Sequence, residues 1–518
     1  MDLFIKLSML AVFFGTMIGI GLYCRKHATD VNGFVLGGRS VGPWLTAFAY
    51  GTSYFSAVVF VGYAGQFGWK YGIAATWAGI GNAILGSLLA WAVLGRRTRV
   101  MTQHLDSATM PQFFGKRFNN KSLKLAASAI IFIFLIPYTA SLYNGLSRLF
   151  GMAFNIDYSV CVIVMAILTG VYVIAGGYMA TAINDFIQGI IMIVGICAVI
   201  GAVLKGQGGF LEALNKLGQV SDPAVSTTPG VFASFFGPDP VNLAGVVLLT
   251  SLGTWGLPQM VQKFYAIKSE QAINKGMIIS TVFALIVAGG CYFLGGFGRL
   301  FADQLDIAAN GYDSIIPTML SGLGTLLVSV VVILVLSASM STLSSLVLAS
   351  SSTLTLDFIK GTVVRDLDEK KQLLLMRLLI VVFIAISVVL AIVQYRSNVT
   401  FIAQLMGVSW GALAGAFLAP FLFGLYWKRT TSAGVWASFV FSTVVMLANT
   451  VAKPLFPVML QSPINAGAFC MLAGMVIVPV ISLLSRKPDQ KLIDRVFSCY
   501  DRKVLVSVKD SIGESEEA

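Results

Sequence analysis

The sequence predicts an all-α protein that crosses a membrane many times, and two observations carry this. Hydrophobic residues fill 57% of the 518 positions and charged residues only 11%, about half the charge density of a soluble chain. Apolar stretches long enough to cross hydrocarbon, about 20 residues each, recur along nearly the whole chain. Inside lipid the backbone finds no water, so a spanning segment is either a helix or a strand of a closed barrel. These runs are continuous and not alternating, which selects helices.

Thirteen spans are expected, at about residues 3–23, 43–63, 73–94, 125–145, 158–175, 182–204, 241–260, 276–298, 320–352, 373–393, 401–426, 433–452 and 466–484. The first lacks a basic leader and ends at Cys24-Arg25-Lys26 instead of a small-residue cleavage site, so it is read as a helix and not a signal peptide. Loop charge gives the orientation. With the N-terminus outside and the C-terminus in the cytoplasm, the inner loops and tail hold 27 of the 35 Lys and Arg residues and the outer side holds 8. Basic residues stay on the cytoplasmic side of such proteins, and that arrangement also requires an odd number of spans. The expected location is the plasma (inner) membrane.

Several function classes fall away. The net charge of +12 is spread over membrane loops, so it marks topology and not a nucleic-acid partner. The longest stretches outside the spans, 205–240 and the tail after Ser485, are too short for a catalytic core, and the acidic end Glu514-Ser515-Glu516-Glu517 is expected to be a disordered tail. The six cysteines show no paired spacing and fall mostly in apolar runs, as small packing residues do. No nucleophile–base set and no metal-ligand cluster is visible, and nothing calls for an obligatory protein partner in addition to the bilayer itself.

Three polar features stand inside the apolar spans. Asp185 is the one acidic residue there. Two readings compete: a cation ligand, since ionisable groups within a membrane are costly, or a carboxylate favoured by a nearby helix N-terminus. The second feature is Ser337-Ala338-Ser339-Met340-Ser341-Thr342-Leu343-Ser344-Ser345. Here Ala338, Ser341 and Thr342 share one helix face at i, i+3, i+4, and Ser341, Ser344 and Ser345 repeat the pattern. Such hydroxyls suit a hard cation, or else close helix packing. The third feature is a pair of interruptions, Gly51-Thr52-Ser53 in the second span and Gly253-Thr254-Trp255-Gly256-Leu257-Pro258 in the seventh. Breaks five spans apart point to an inverted-repeat transporter whose unwound segments face the cargo.

These residues resemble the sodium:solute symporters, which include the proline and pantothenate permeases. The likeness runs from Phe34-Val35-Leu36-Gly37-Gly38-Arg39-Ser40 to Gly424-Leu425-Tyr426-Trp427-Lys428-Arg429. Its most specific pieces are Ile174-Ala175-Gly176-Gly177 on to Asp185, Met340-Ser341-Thr342-Leu343-Ser344, and Gly256-Leu257-Pro258 leading into Lys268-Ser269. The resemblance implies a leucine-transporter-type fold of thirteen helices. Its five-plus-five inverted repeat would cover about 41–204 and 241–426, flanked by extra N- and C-terminal helices within one domain, 1–485, before a cytoplasmic tail, 486–518. It also implies a Na+ site made by the carbonyls of Thr52, Phe55 and Ala338 with the hydroxyls of Ser341 and Thr342, and a second from Asp185, Ser341, Ser344 and Ser345. By matched position the substrate-facing residues would be Ser56, Tyr138, Trp255, Pro258 and Gln259. One departure is plain: where proline permeases resemble Gly-Ala-Ser-Asp-Met-Ser, this chain has Gly51-Thr52-Ser53-Tyr54-Phe55-Ser56, closer to the pantothenate-permease pattern.

The function this implies is sodium-coupled symport of a small monocarboxylate or amino-acid-like solute by alternating access. The alternatives are a proton-coupled symporter with Asp185 as proton carrier and a passive channel or facilitator, although no ring of acidic residues or repeated filter loop is present.

Overall fold

The computed structural model describes residues 2–154, 157–307, 311–360, 363–364, 367–397 and 402–501. The described residues are almost entirely helical, and their only β-type contacts are isolated bridges such as Val41 with Ile267. The long helices are α1 (Asp2–Cys24), α2 (Pro43–Tyr54), α3 (Val58–His104), α4 (Lys121–Phe154) and α5 (Tyr158–Gly206). They continue with α6 (Pro240–Gly256), α7 (Pro258–Ala266), α8 (Glu270–Gly295), α9 (Thr325–Ile359) and α10 (Glu369–Ser397). The last are α11 (Ile402–Tyr426), α12 (Ser432–Val451), α13 (Pro463–Leu484) and the short α14 (Gln490–Phe497).

Among the described residues, ten helices are long and apolar enough to cross a membrane, or eleven if α6 and α7, bent by 46°, count as one. This differs from the thirteen expected because neighbouring spans run together. The expected second span is divided between α2 and the start of α3, and the third continues α3 beyond Gly72, whose φ of 62° lies outside the helical region. The expected fifth and sixth spans both lie in α5, where Gly177 (φ 54°, ψ −146°) interrupts the helix. A side chain there would be strained, and its Cβ would also strike the Phe34 carbonyl oxygen at 2.8 Å. The start of the eleventh expected span, Phe401, and the acidic end of the tail lie outside the described residues.

Burial separates centre from rim. In α9 and α11, 83% of the apolar window is buried, against 33% in α10 and 22% in α1. Leu374, Leu378, Val381, Val389 and Val393 of α10 are all exposed, an apolar stripe of the kind that faces lipid. Five cysteines are buried and Cys197 is exposed; none is in a disulfide.

The two breaks fall slightly later than expected. Gly51–Ser53 are helical, and the chain leaves helical geometry at Phe55 (φ −87°, ψ 119°). Gly51 serves close packing instead: a Cβ there would sit 2.4 Å from the Phe283 ring. The second break is at Leu257 (φ −80°, ψ 124°), because Pro258 excludes helical geometry from the residue before it and then opens α7.

The first part of the tail packs against the bundle. Ile493, Val496 and Phe497 of α14 are buried, with the Arg117 guanidinium 4.8 Å from the Phe497 ring. Tyr500 donates to the Arg97 carbonyl at 3.0 Å.

Candidate functional site: two polar clusters on one helix

The break at Phe55 leaves the last carbonyls of α2 without the amide partners a continuing helix would supply. They turn to α9. Ser341 Oγ lies 3.1 Å from the Thr52 carbonyl and 3.1 Å from that of Ala338. Thr342 Oγ1 lies 3.1 Å from the Thr52 carbonyl, 3.2 Å from Phe55 and 3.1 Å from Ala338. A hydroxyl carries a single proton. Two hydroxyl protons are therefore shared among five short oxygen–oxygen contacts, in a cluster that has no charged side chain of its own. Ligands about 2.3 Å from a central hard cation and at right angles to one another are separated by about 3.2 Å, which is the spacing seen here. All five residues are buried, with Thr52, Ser341 and Thr342 at 0% exposure.

Three to four residues further along α9 the situation is different. Asp185, fully buried on α5, faces the ammonium of Lys263 on α7 at 3.9 Å. Lys263 donates to Ser345 Oγ at 3.0 Å, and Ser345 lies 2.9 Å from Ser53 Oγ on α2. The Tyr178 ring covers the ammonium at 5.0 Å. Neither Asp185 oxygen accepts a hydrogen bond. Ser344 donates to the Ser341 carbonyl of its own helix at 2.8 Å. The structure thus brings Asp185 and Ser345 to a common point, turns Ser344 along its helix, and adds a lysine. Asp185 stands eight residues beyond the Gly177 interruption, more than two turns into its helix, where the terminal dipole no longer reaches. That removes the helix-terminus account of this carboxylate.

The residues expected to face substrate divide into two groups. The first joins the break to α4 and α11: Ser56 Oγ accepts from the Val58 amide at 3.2 Å, the Tyr138 hydroxyl faces Ser56 and Trp410, and the Tyr138 and Trp410 rings meet edge-on at 5.9 Å. The second group surrounds the Leu257 break. Trp255 Nε1 donates to the Leu85 carbonyl at 2.8 Å, and Pro258 opens α7. Gln259 is fully buried, yet neither its amide nitrogen nor its oxygen has a partner. Burying an unpaired amide is costly. The two groups meet through Trp410, which packs where Gly253 has no side chain; a Cβ there would be 2.6 Å from the Trp410 ring.

One side of this region is closed. Arg39 donates to the carbonyls of Tyr265 (3.2 Å) and Ser107 (2.6 Å), Arg99 to Ile267 (2.6 Å), and Gln262 to Val35 (3.0 Å). The Val41 amide and carbonyl hold Ala266 and Lys268 at 3.2 and 2.9 Å. The C-terminal end of α7 is thereby fastened on both sides. At the opposite end of the bundle a vestibule of about 730 Å³ opens between Gln66, Asn242, Val246, Tyr312, Gln404 and Asn465. Arg299 and Asp222 pair at its rim at 2.9 Å; burial lowers the Arg299 pKa from its ordinary value and Asp222 opposes that shift. Val246 stands nine residues before Trp255 on α6, roughly 13 Å along the helix.

A model of the sodium:solute symporter family matches residues 34–441. The chain belongs to the sodium:solute symporter family. Two sodium/proline symporters of Staphylococcus aureus (strains JH9 and N315) are each 31% identical to it over 498 residues, 93% of either length. A solved structure of a sodium-coupled sialic acid symporter, in a substrate-bound outward-open state, aligns with a TM-score of 0.74 at 16% identity. It covers 94% of this chain and 98% of that one, and the two share a fold. This symporter is accordingly an integral membrane protein whose family carries solutes with sodium and does not catalyse covalent reactions.

Two residues of the symporter's site escape a reading of the sequence. Lys263 counts there as an inner-loop charge, because it follows a predicted span by three residues. It is in fact 2% exposed and lies against Asp185. Its signal was the apolar context Met260-Val261 before it and Phe264-Tyr265 after it. Trp410 lies in a mostly apolar helix, where an aromatic residue does not stand out.

Proposed function

We propose that this symporter moves a small amino-acid-like or monocarboxylate solute across the plasma membrane with Na+, by alternating access. The observation that carries the sodium reading is the all-oxygen cluster of Thr52, Phe55, Ala338, Ser341 and Thr342. Five oxygens at cation-ligand spacing, drawn from a broken helix and an intact one, converge where a cation would bridge the two helices. Sodium would stabilise the state in which α2 and α9 are in contact, and substrate would then favour closure. Such coupling requires each ligand to bind the two states unequally.

In this reading the fastened end of α7 is cytoplasmic and the vestibule faces outward, consistent with an outside N-terminus, a cytoplasmic C-terminus and the loop-charge asymmetry. Dividing α3 at Gly72 and α5 at Gly177 and joining α2 across Phe55 and α6 to α7 yields thirteen spans. The paired breaks then occupy matching places in repeats at about 41–204 and 241–426, within a single domain ending near 485 and followed by the tail 486–518.

Substrate would lie among Ser56, Tyr138, Trp255, Pro258 and Gln259. None of these is charged. The N-terminal end of α7, which starts at Pro258, offers the partial positive charge of a helix start to a carboxylate, and the Gln259 amide offers a donor and an acceptor beside it. This polarity favours a carboxylate-bearing solute over a sugar. Proline is a natural first candidate from the staphylococcal relatives, against the absence of an acidic residue at Tyr54.

The test is uptake into proteoliposomes from a panel of amino acids and monocarboxylates that includes proline. Accumulation above the equilibrium level is expected with an inward sodium gradient, and its loss when a sodium ionophore collapses that gradient. Accumulation driven by a pH gradient without sodium would establish the proton-coupled alternative with Asp185 as carrier. Downhill equilibration alone would establish a facilitator.

A further inference from the structure

Asp185 and Lys263 are a buried pair of opposite formal charge, and the ammonium stands in the space that a dissolved cation would take there. It lies 3.9 Å from the carboxylate and 3.0 Å from Ser345 Oγ. Ser53 donates its one proton to the Ala49 carbonyl at 2.5 Å, so Ser345 must donate to Ser53 and accept from Lys263. Ser344 donates into its own helix. Adding a sodium ion would leave a net positive charge in a pocket closed on one side by the Tyr178 ring, and uncompensated buried charge is what the interior of a membrane protein excludes. The five-oxygen cluster differs in this respect, since it has no cationic side chain of its own.

We propose that Lys263 is a tethered cation that occupies the place of a second sodium at Asp185 and Ser345, so that each transport cycle carries one sodium ion. This rests on the sodium-symport reading of the five-oxygen cluster. Lys263 stands six residues past the break at Leu257, on the half-helix whose far end Arg39, Arg99 and Val41 hold shut. Because α7 carries Lys263, a movement of α7 withdraws the ammonium from Asp185. The ammonium therefore ties α7 to α5 and α9 in one state and releases them in the other, as a bound ion would, without dissolving away.

The experiment counts 22Na+ bound at saturation by the full-length protein in lipid nanodiscs. The wild type is expected to bind one sodium per chain with a hyperbolic isotherm. Lys263→Met, which leaves Asp185 without its cation, is expected to bind two with a steeper isotherm. Lys263→Arg should retain one, and Asp185→Asn combined with Lys263→Met should return the count to one. Two sodium ions in the wild type, or one in a folded Lys263→Met protein, would overturn the proposal while leaving symport intact. No saturable sodium in any of the proteins would instead remove the symport reading itself. Should Lys263→Met fail to fold, the wild-type count decides.

Discussion

Between Ala338 and Ser345, α9 serves two clusters that handle charge in opposite ways. Ser341 and Thr342 converge with three backbone carbonyls and no charged side chain, whereas Ser345 sits beside a carboxylate that already faces an ammonium. The first cluster is neutral; the second holds a buried ion pair whose carboxylate accepts no hydrogen bond. The difference shows that a run of serines in a membrane helix says little about ion binding until the charges opposite it are known. Hydroxyls that converge with carbonyls of a second helix are candidates for a cation site, while a hydroxyl facing an ion pair solvates it.

The contrast can be broken most severely at Asp185. Asp185→Asn leaves Lys263 buried without a counter-charge, and breaking a buried pair costs about 3–5 kcal/mol. A large drop in the thermal midpoint of the purified protein is expected, with most of it recovered when Lys263→Met is added. A single variant as stable as the wild type would mean that Asp185 does not balance the Lys263 charge. Next in size is Thr342→Ala, which removes the hydroxyl that touches three carbonyls. Losing a charge-assisted contact of about 1.5–3 kcal/mol should raise the sodium concentration for half-maximal uptake by about 10-fold or more, and Thr342→Ser should largely restore it. A shift below twofold would place sodium elsewhere.

Smaller still is Gln259→Leu. It removes the unpartnered amide, so the half-saturating solute concentration should rise by about 10-fold, on a hydrogen bond of about 1 kcal/mol or slightly more. Sodium-dependent thermal stabilisation should be unchanged. Equal loss of both would mean that Gln259 supports the fold and not the cargo. The least effect is expected at Glu270, whose contact with Arg96 is solvent-exposed at 2.5 Å. Glu270→Gln should change stability by less than about 1 kcal/mol, and that small change should fade in high salt.

The sequence shows some of this plainly and hides the rest for a physical reason. A span is legible within its own 20 residues or so, and Ser341 and Thr342 are legible because helical spacing alone puts them on one face with Ala338. Asp185 stands out because acid is rare in lipid. Lys263 does not stand out: lysine near the end of an apolar run is the ordinary mark of an inner loop, and only the fold reveals Asp185, 78 residues earlier, opposite it. The break near Ser53 was legible as a glycine, but Gly51 turned out to admit Phe283, and the chain opens at Phe55. Docking of α14 against Arg97 and Arg117 joins residues some 400 apart, beyond any local pattern.

The claim that a sodium ion completes the Thr52–Phe55–Ala338–Ser341–Thr342 cluster is tested most directly by thermal unfolding of the purified protein. NaCl is titrated against N-methylglucamine chloride at constant ionic strength, for the wild type and for Ser341→Ala combined with Thr342→Ala. A ligand that binds only the folded state stabilises it by about 2.7 kcal/mol at 100 times its Kd. The wild-type midpoint should therefore rise with sodium and continue rising logarithmically above the Kd, while the double variant stays flat. An equal rise in both proteins, or none in the wild type, would contradict the site.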